Sequence, residues 1–299
     1  RGLEATKVVS RRSNQAGTEH LNTPLSCNKS HTIMSVIKEY SGCDAAINLV
    51  VVASSRRPTP INDTNMKSYL IPVIMMLTYC GLLHAEESGK HLFILSGQSN
   101  MARFKPKSWF TPGISESLGA ENVIVSFYAQ GGQPISKWYR QWKSSKGETD
   151  PEAGKIYDAL METTKAAIQG KKIQTVTFIW MQGEADSKAG NSDVYLASLN
   201  GLKKQLERDL ERTDINFIIG RLSDSGFYRR RDKKRIKNPD WDTVRKAQES
   251  FADASERAVW IDTDDLNGEK QELHYKKPEG YEKLGERYVE AAIMLVQAK

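Results

Sequence analysis

The chain has 299 residues, with 43 Lys and Arg against 37 Asp and Glu, for a formal net charge of +6. That length suits one large domain or two small ones, and Gly (21) and Pro (10) are ordinary, which excludes collagen-like and low-complexity chains. The three Cys are too few for a disulfide scaffold and show no zinc-type spacing with His.

Charge and cysteine are unevenly distributed. Residues 1–85 carry nine Lys and Arg against five Asp and Glu, and residues 86–299 carry 34 against 32. The larger part is close to neutral, so the mild basicity gives no reason to expect a nucleic-acid partner. Cys27, Cys43 and Cys80 all precede residue 86. No thiolate or cysteine-bound metal is expected after it, and no His/Asp/Glu set with ligand spacing argues for metal-dependent hydrolysis.

From the N-terminus, residues 1–65 show no amphipathic period, and their one apolar patch is Ile47–Ala53. They are read as translated upstream sequence or a disordered extension. Residues 66–85 begin Met-Lys-Ser-Tyr, continue into the apolar run LIPVIMMLTYCGLL and end His84-Ala85. A short basic start, a short apolar run and a small residue at a cleavage point are the pattern of a secretory signal peptide. The run is shorter than the roughly 20 residues of a membrane span. The expectation is therefore a secreted or periplasmic protein with no stable membrane anchor after cleavage.

Residues 86–299 alternate between two kinds of segment. Apolar runs lie at 92–95, 123–128, 176–181, 215–219 and 259–261, and helix-like spacing covers 152–169, 193–212, 241–255 and 278–297. Strands alternating with helices predict an α/β domain with a parallel sheet covered on both faces. The segment 226–240 carries six Lys and Arg between Arg229 and Arg235 and is expected to be a surface loop. A basic loop suggests acidic polysaccharide as a contact, against the plainer reading of a solvated charge run.

Ligands of open parallel sheets bind at the carboxyl ends of the strands, so the residues that follow each strand are the candidates. After the first strand comes Ser96-Gly97-Gln98-Ser99-Asn100. A Ser on a Gly-containing strand-to-helix turn can expose its hydroxyl as a nucleophile, and it can equally be a plain helix cap. After the second strand, Gly131 and Gly132 can bring backbone N–H groups close to a ligand. After the third, Gln182 carries a side-chain amide able to donate into the same crevice. His91 opens the first strand at the wrong end for a site, which leaves His274 as the one His base candidate beyond residue 86.

Four blocks occur in order: GQSNM at 97–101, GGQPISKW at 131–138, WMQGEAD at 180–186 and LHYKKPEGYEKLGER at 273–287. Together with WDTVRKAQ at 241–248 they resemble the SGNH hydrolases, in the branch of sialate O-acetylesterase-like and plant-type carbohydrate acetylesterases. The resemblance implies a three-layer α/β/α, flavodoxin-like fold with a five-stranded parallel sheet. It implies a serine esterase that removes O-acetyl groups from carbohydrate through an acyl-enzyme, without a cofactor, and the signal-peptide pattern adds that it is secreted. It gives Ser99 the role of nucleophile and His274 that of general base. The oxyanion hole would be the backbone N–H groups of Ser99, Gly131 and Gly132 with the Gln182 amide.

One position departs from the family pattern. The Asp usually found three residues before the His, which fixes its tautomer, is Gln271 here. Glu272, Glu269, Asp264 and Asp265 are the nearby carboxylates, with Glu272 closest, and Gln271 could itself orient the imidazole through its carbonyl oxygen. A Ser–His dyad is the further possibility. The same departure motivates a different class of function, a carbohydrate-binding protein with a degenerate esterase site.

Overall fold

The computed structural model describes residues 89–229 and 235–298. The proposed extension and signal peptide, and the centre of the basic segment, lie outside the described residues.

Five strands form the central sheet: β1 (Lys90–Gly97), β2 (Val123–Ala129), β3 (Ile173–Met181), β4 (Asn216–Gly220) and β7 (Ala258–Ile261). Their order is β2-β1-β3-β4-β7 and every pairing is parallel, with Leu92 opposite Ile124 and Val176, and Phe178 opposite Phe217. The expected five-stranded α/β sheet is present, and its strands coincide with the apolar runs. A parallel sheet is buried on both faces, so its central strands need apolar side chains at consecutive positions. Accordingly Leu92, Phe93, Ile94 and Leu95 are all fully buried, as are Phe178, Ile179 and Trp180.

The helices make two layers. On one face lie α1 (Ser99–Arg103), α2 (Pro106–Trp109), α3 (Thr111–Leu118) and the C-terminal α8 (Glu279–Gln297). On the other lie α4 (Lys155–Ile168), α6 (Ser192–Asp209) and α7 (Pro239–Asp253), with the short α5 (Glu184–Ala189) at the end of β3. The crossover β2–α4–β3 passes over β1, the usual way to join parallel strands that are not neighbours. Helix α8 buries Tyr281, Leu284, Tyr288, Ala291, Ala292 and Leu295, the 3–4 spacing of a single helical face. It passes so close to α2 that a Cβ on Gly285 would come within 2.0 Å of the Trp109 carbonyl oxygen.

The four long helices match the helical spacing of the sequence to within a few residues. Two features differ. Residues 99–118 form three short helices that had shown no period, because each is too short to repeat a face. The segment expected as a surface loop contains an antiparallel pair, β5 (Phe227–Arg229) with β6 (Arg235–Lys237), in the register Tyr228 opposite Ile236. Asn238 then caps α7, its side chain accepting from the Asp240 N–H at 3.1 Å.

Candidate active site

The candidate residues gather at the carboxyl edge of the sheet. Gly97 ends β1 with φ +149, and a Cβ there would meet the Met181 carbonyl oxygen at 2.0 Å. Only Gly can make this close approach to β3. The Gln98 N–H then donates to that same oxygen at 2.9 Å, and the chain turns directly into α1 with Ser99 as its first residue. The Gln98 side chain is buried, and its Oε1 accepts from the Ala185 N–H at 3.0 Å. The turns after β1 and β3 are thereby clasped to each other.

Ser99 is half-buried and faces the turn after β2. A Cβ on Gly131 would lie 3.7 Å from the Ser99 Cβ, and Gly132 follows with φ +73 and open space around it. Among the described residues, the backbone N–H groups of Ser99, Gly131 and Gly132 donate to no protein acceptor. Free backbone donors near a nucleophile can receive a developing negative charge.

Asn100 brings His274 to this place. Its Nδ2 donates to the Leu273 carbonyl at 3.0 Å and to Glu184 Oε1 at 3.1 Å. Its Oδ1 accepts from the Tyr275 N–H at 3.4 Å and the Tyr281 hydroxyl at 3.1 Å. The backbone on both sides of His274 is therefore tied to the residue next to Ser99. No hydrogen bond joins the Ser99 hydroxyl to the imidazole; such bonds often tighten only when substrate binds. His274 is held below the usual histidine range, first by desolvation and then by the cations Arg103, Lys188 and Lys277, while Glu272 pulls the other way. Its neutral form, the one that accepts a proton, is favoured.

Gln182 follows β3 as read from the sequence, and its amide is turned into the protein. Its side chain is 0% exposed, and its Nε2 donates to the Gln133 carbonyl at 3.1 Å, Gln98 Oε1 at 3.2 Å and Asp186 Oδ2 at 2.5 Å. An amide nitrogen has two hydrogens, and both are spent inside the protein. Gln182 thus braces the turn that carries Gly131 and Gly132, because Gln133 is the next residue of that turn.

The carboxylates near His274 also sort themselves. Asp264 is taken by Arg245 at 2.6 Å and Asp265 by Arg287 at 2.8 Å. Glu272 is exposed, and no carboxylate among the described residues hydrogen-bonds to His274. Gln271 adopts φ +48, and its Nε2 donates to Asp224 Oδ2 at 2.6 Å. Asp224 also accepts from Asn267 Nδ2 at 3.0 Å. The loop before His274 is therefore anchored on Asp224, a residue in the turn after β4.

Glu184 and Asp186 were quoted only as parts of a block and carry more than that. Burial pushes Glu184 up to about 7 against the help of Asn100, and pushes Asp186 up to about 6 against the help of Gln182 and the Ile135 N–H. Glu184 Oε2, Asp186 Oδ1 and Gln182 Oε1 are buried without a hydrogen-bond partner. Asn100, Glu184 and Asp224 are the site residues that sequence reasoning passed over. The first two lie inside the quoted blocks, and the third follows a strand, the position at which a ligand site was sought. Within the described residues no group of His, Cys, Asp and Glu could hold a metal ion.

A family model described as carbohydrate esterase, sialic acid-specific acetylesterase, matches residues 102–294. The span includes the Gly131-Gly132 turn, Glu184 and His274. A protein of Arabidopsis thaliana of known X-ray structure is similar at 18% identity and TM-score 0.52, over 69% of this chain and 99% of that one. A carbohydrate acetylesterase from Xanthomonas citri is similar at 13% identity and TM-score 0.47, over 71% and 57%. An acetylxylan esterase from Geobacillus stearothermophilus gives 13% and 0.44, over 69% and 94%. Among curated proteins nothing matches the chain.

Proposed function

The chain belongs to the carbohydrate esterase family described as sialic acid-specific acetylesterase, and from that premise we propose that it removes acetyl groups from sugar hydroxyls by serine chemistry. A carboxylic ester hydrolase needs a nucleophile, a base and a place for negative charge. The observation that carries the assignment is the clustering of Ser99, the free N–H groups of the Gly131-Gly132 turn and the Asn100 tether of His274 at one point.

In this reading Ser99 Oγ attacks the acetyl carbonyl carbon while His274 takes the hydroxyl proton. The oxyanion is received by the N–H groups of Ser99 and of the Gly131-Gly132 turn. The carbon–oxygen bond to the sugar then breaks, and His274 returns its proton to the departing sugar oxygen. Water attacks the acetyl-serine with His274 again as base, and acetate leaves. The imidazole works here without a bonded carboxylate, as a dyad. Removing a triad acid leaves considerable catalysis from the remaining parts. Residues 66–85 support export, with cleavage after Ala85.

The test is Ser99→Ala assayed on a chromogenic acetate ester and on acetylated oligosaccharide. Activity should fall by several orders of magnitude with the melting temperature little changed. A fluorophosphonate should add its mass to the wild-type chain at Ser99 and leave the variant unlabelled. Activity within about tenfold of wild type would place the nucleophile elsewhere. No hydrolysis by the wild-type chain on either substrate would favour the binding-protein reading.

A further inference from the structure

Large apolar side chains are seldom left open in this molecule; among the described residues only Tyr128, at 36% exposure, and Met294 stand out. A single exposed aromatic is ordinary. The place of Tyr128 is not. Along β2 the residues Ile124, Ser126 and Tyr128 share one face. The first two are buried, and Ser126 Oγ bonds to Thr164 Oγ1 of α4 at 2.8 Å. Tyr128 is the next residue on that face and lies at the carboxyl edge of the sheet. It lines a concavity of about 230 Å³ with Gln130, Gln133, Lys137, Glu152 and Lys155.

This concavity adjoins the proposed reaction centre through the chain itself. Gln130 and Gln133 are the residues on either side of Gly131-Gly132, and Gly131 is the residue that faces Ser99. The backbone of Gln133 is held from below by Gln182. A group seated against Tyr128 is therefore in fixed relation to the turn that would receive the oxyanion.

The chemistry of the walls selects the occupant. Each glutamine amide offers both a donor and an acceptor, the complement of a hydroxyl, which is likewise both. An aromatic ring offers an apolar face with a negative quadrupole, the complement of the C–H face of a sugar ring. The cations are already matched, since Lys137 Nζ reaches Asp150 at 2.9 Å and Glu152 at 3.1 Å, and Lys155 Nζ reaches Glu152 at 3.1 Å. No uncompensated positive charge is left here for a sugar carboxylate, and Glu152 would repel one. The size, below that of cavities enclosing drug-sized ligands, suits one ring.

We propose that this concavity is a glycan subsite for a neutral sugar ring neighbouring the acetylated one, with Tyr128 as its platform and Gln130 and Gln133 as its hydrogen-bonding walls. The inference deepens the esterase reading and rests on it only for the position of the acetylated ring. It commits the substrate class to neutral oligosaccharides, in contrast to the acidic sugar in the family description.

The test is binding without catalysis. Wild-type protein, Tyr128→Ala, Tyr128→Phe and Gln130→Ala would be titrated calorimetrically with xylotetraose and with 3′-sialyllactose, after thermal melts establish that each is folded. Expected are binding of xylotetraose by wild type, about tenfold weaker binding by Tyr128→Ala, retention within about twofold by Tyr128→Phe, and a several-fold loss in Gln130→Ala. Binding of 3′-sialyllactose should be weaker than that of xylotetraose. The proposal is overturned if wild type binds no neutral sugar, if both Tyr128→Ala and Gln130→Ala bind as wild type does, or if the acidic sugar binds better. Because the titration reads affinity alone, its failure leaves the Ser99 chemistry standing, and loss of Ser99 chemistry leaves the titration interpretable.

Discussion

Desolvation first, and then the cations Arg103, Lys188 and Lys277, hold His274 below the ordinary histidine value, with the exposed anion Glu272 pulling the other way. A base must be deprotonated to act, so the acid limb of kcat/KM should fall below pH 6.5. Arg103→Gln removes a cation, raises the histidine and should move that limb to higher pH. Glu272→Gln removes the anion and should move it lower still. Both variants should keep kcat at pH 8 within about twofold, since exposed charges act weakly across solvent. A loss near 10⁴ in Glu272→Gln, the size seen for a triad Asp→Asn change, would instead make Glu272 the acid of a triad. Glu184 gives a second pH dependence of the opposite sense. Its folded value of about 7 lies above the usual glutamate value of 4.5, so between these values the folded chain holds a proton that the unfolded chain has released. Stability therefore falls as pH rises through this window and is level above it. Asp186 has largely completed its own loss by pH 6. Between pH 6 and 8 urea unfolding should show wild type losing stability, and Glu184→Gln should lose roughly 1 kcal/mol less. Equal pH slopes for the two proteins would mean that Glu184 is ionised in the fold throughout.

At the scale of elements, the site depends on loops that are tied together across the ends of β1, β3 and β4. The turn after β4 contributes Asp224, which accepts from Asn267 and Gln271 and so fixes the loop that leads to His274. Asp224→Ala removes two charge-assisted bonds and leaves two amides to find water. It should cost about 2 kcal/mol of stability and lower kcat more than it raises KM, because the base loses its position while the substrate keeps its walls. A variant with unchanged kcat would show that the loop is held without it. The strands and long helices were legible in the sequence because burial on both sheet faces writes continuous apolar runs, and a single buried helix face writes a 3–4 spacing. Residues 99–118 were not, since helices of four to eight residues are fixed by what they pack on. The antiparallel pair at 227–237 was hidden for a related reason: its strands are three residues long, too short to show an alternation, and flank a basic run. Ser99 and the glycine pair could be proposed from the sequence because each follows a strand, and His274 because the one other His beyond residue 86 opens a strand at the opposite end of the sheet. The direction of the Gln182 amide and the Asp224–Gln271 bond were not, because each depends on groups that meet only when separate turns fold against one another.

At the scale of the whole molecule, the architecture keeps the reaction centre within one sheet and its two helical layers. The residues proposed to react or to receive charge, from Ser99 after β1 to His274 before α8, lie between residues 96 and 275. The elements that hold them also close on themselves, since α8 returns to pack on β3, β4 and β7 and against α2 and α3. The described residues all lie within one compact unit. A chain reduced to residues 86–299 is therefore expected to fold and react by itself. It should melt in one cooperative transition, as single domains of this kind do, and hydrolyse a chromogenic acetate with kcat/KM within about twofold of the full chain. Its net charge also falls from +6 for all 299 residues to +2, so its solubility should depend more strongly on salt and on pH near neutrality. The comparison needs only both proteins, a melting curve and one esterase assay. If the shorter chain folds and is inactive, a group before residue 86 takes part in the reaction. If it does not fold, the sheet and its two layers are not the complete stable unit described here.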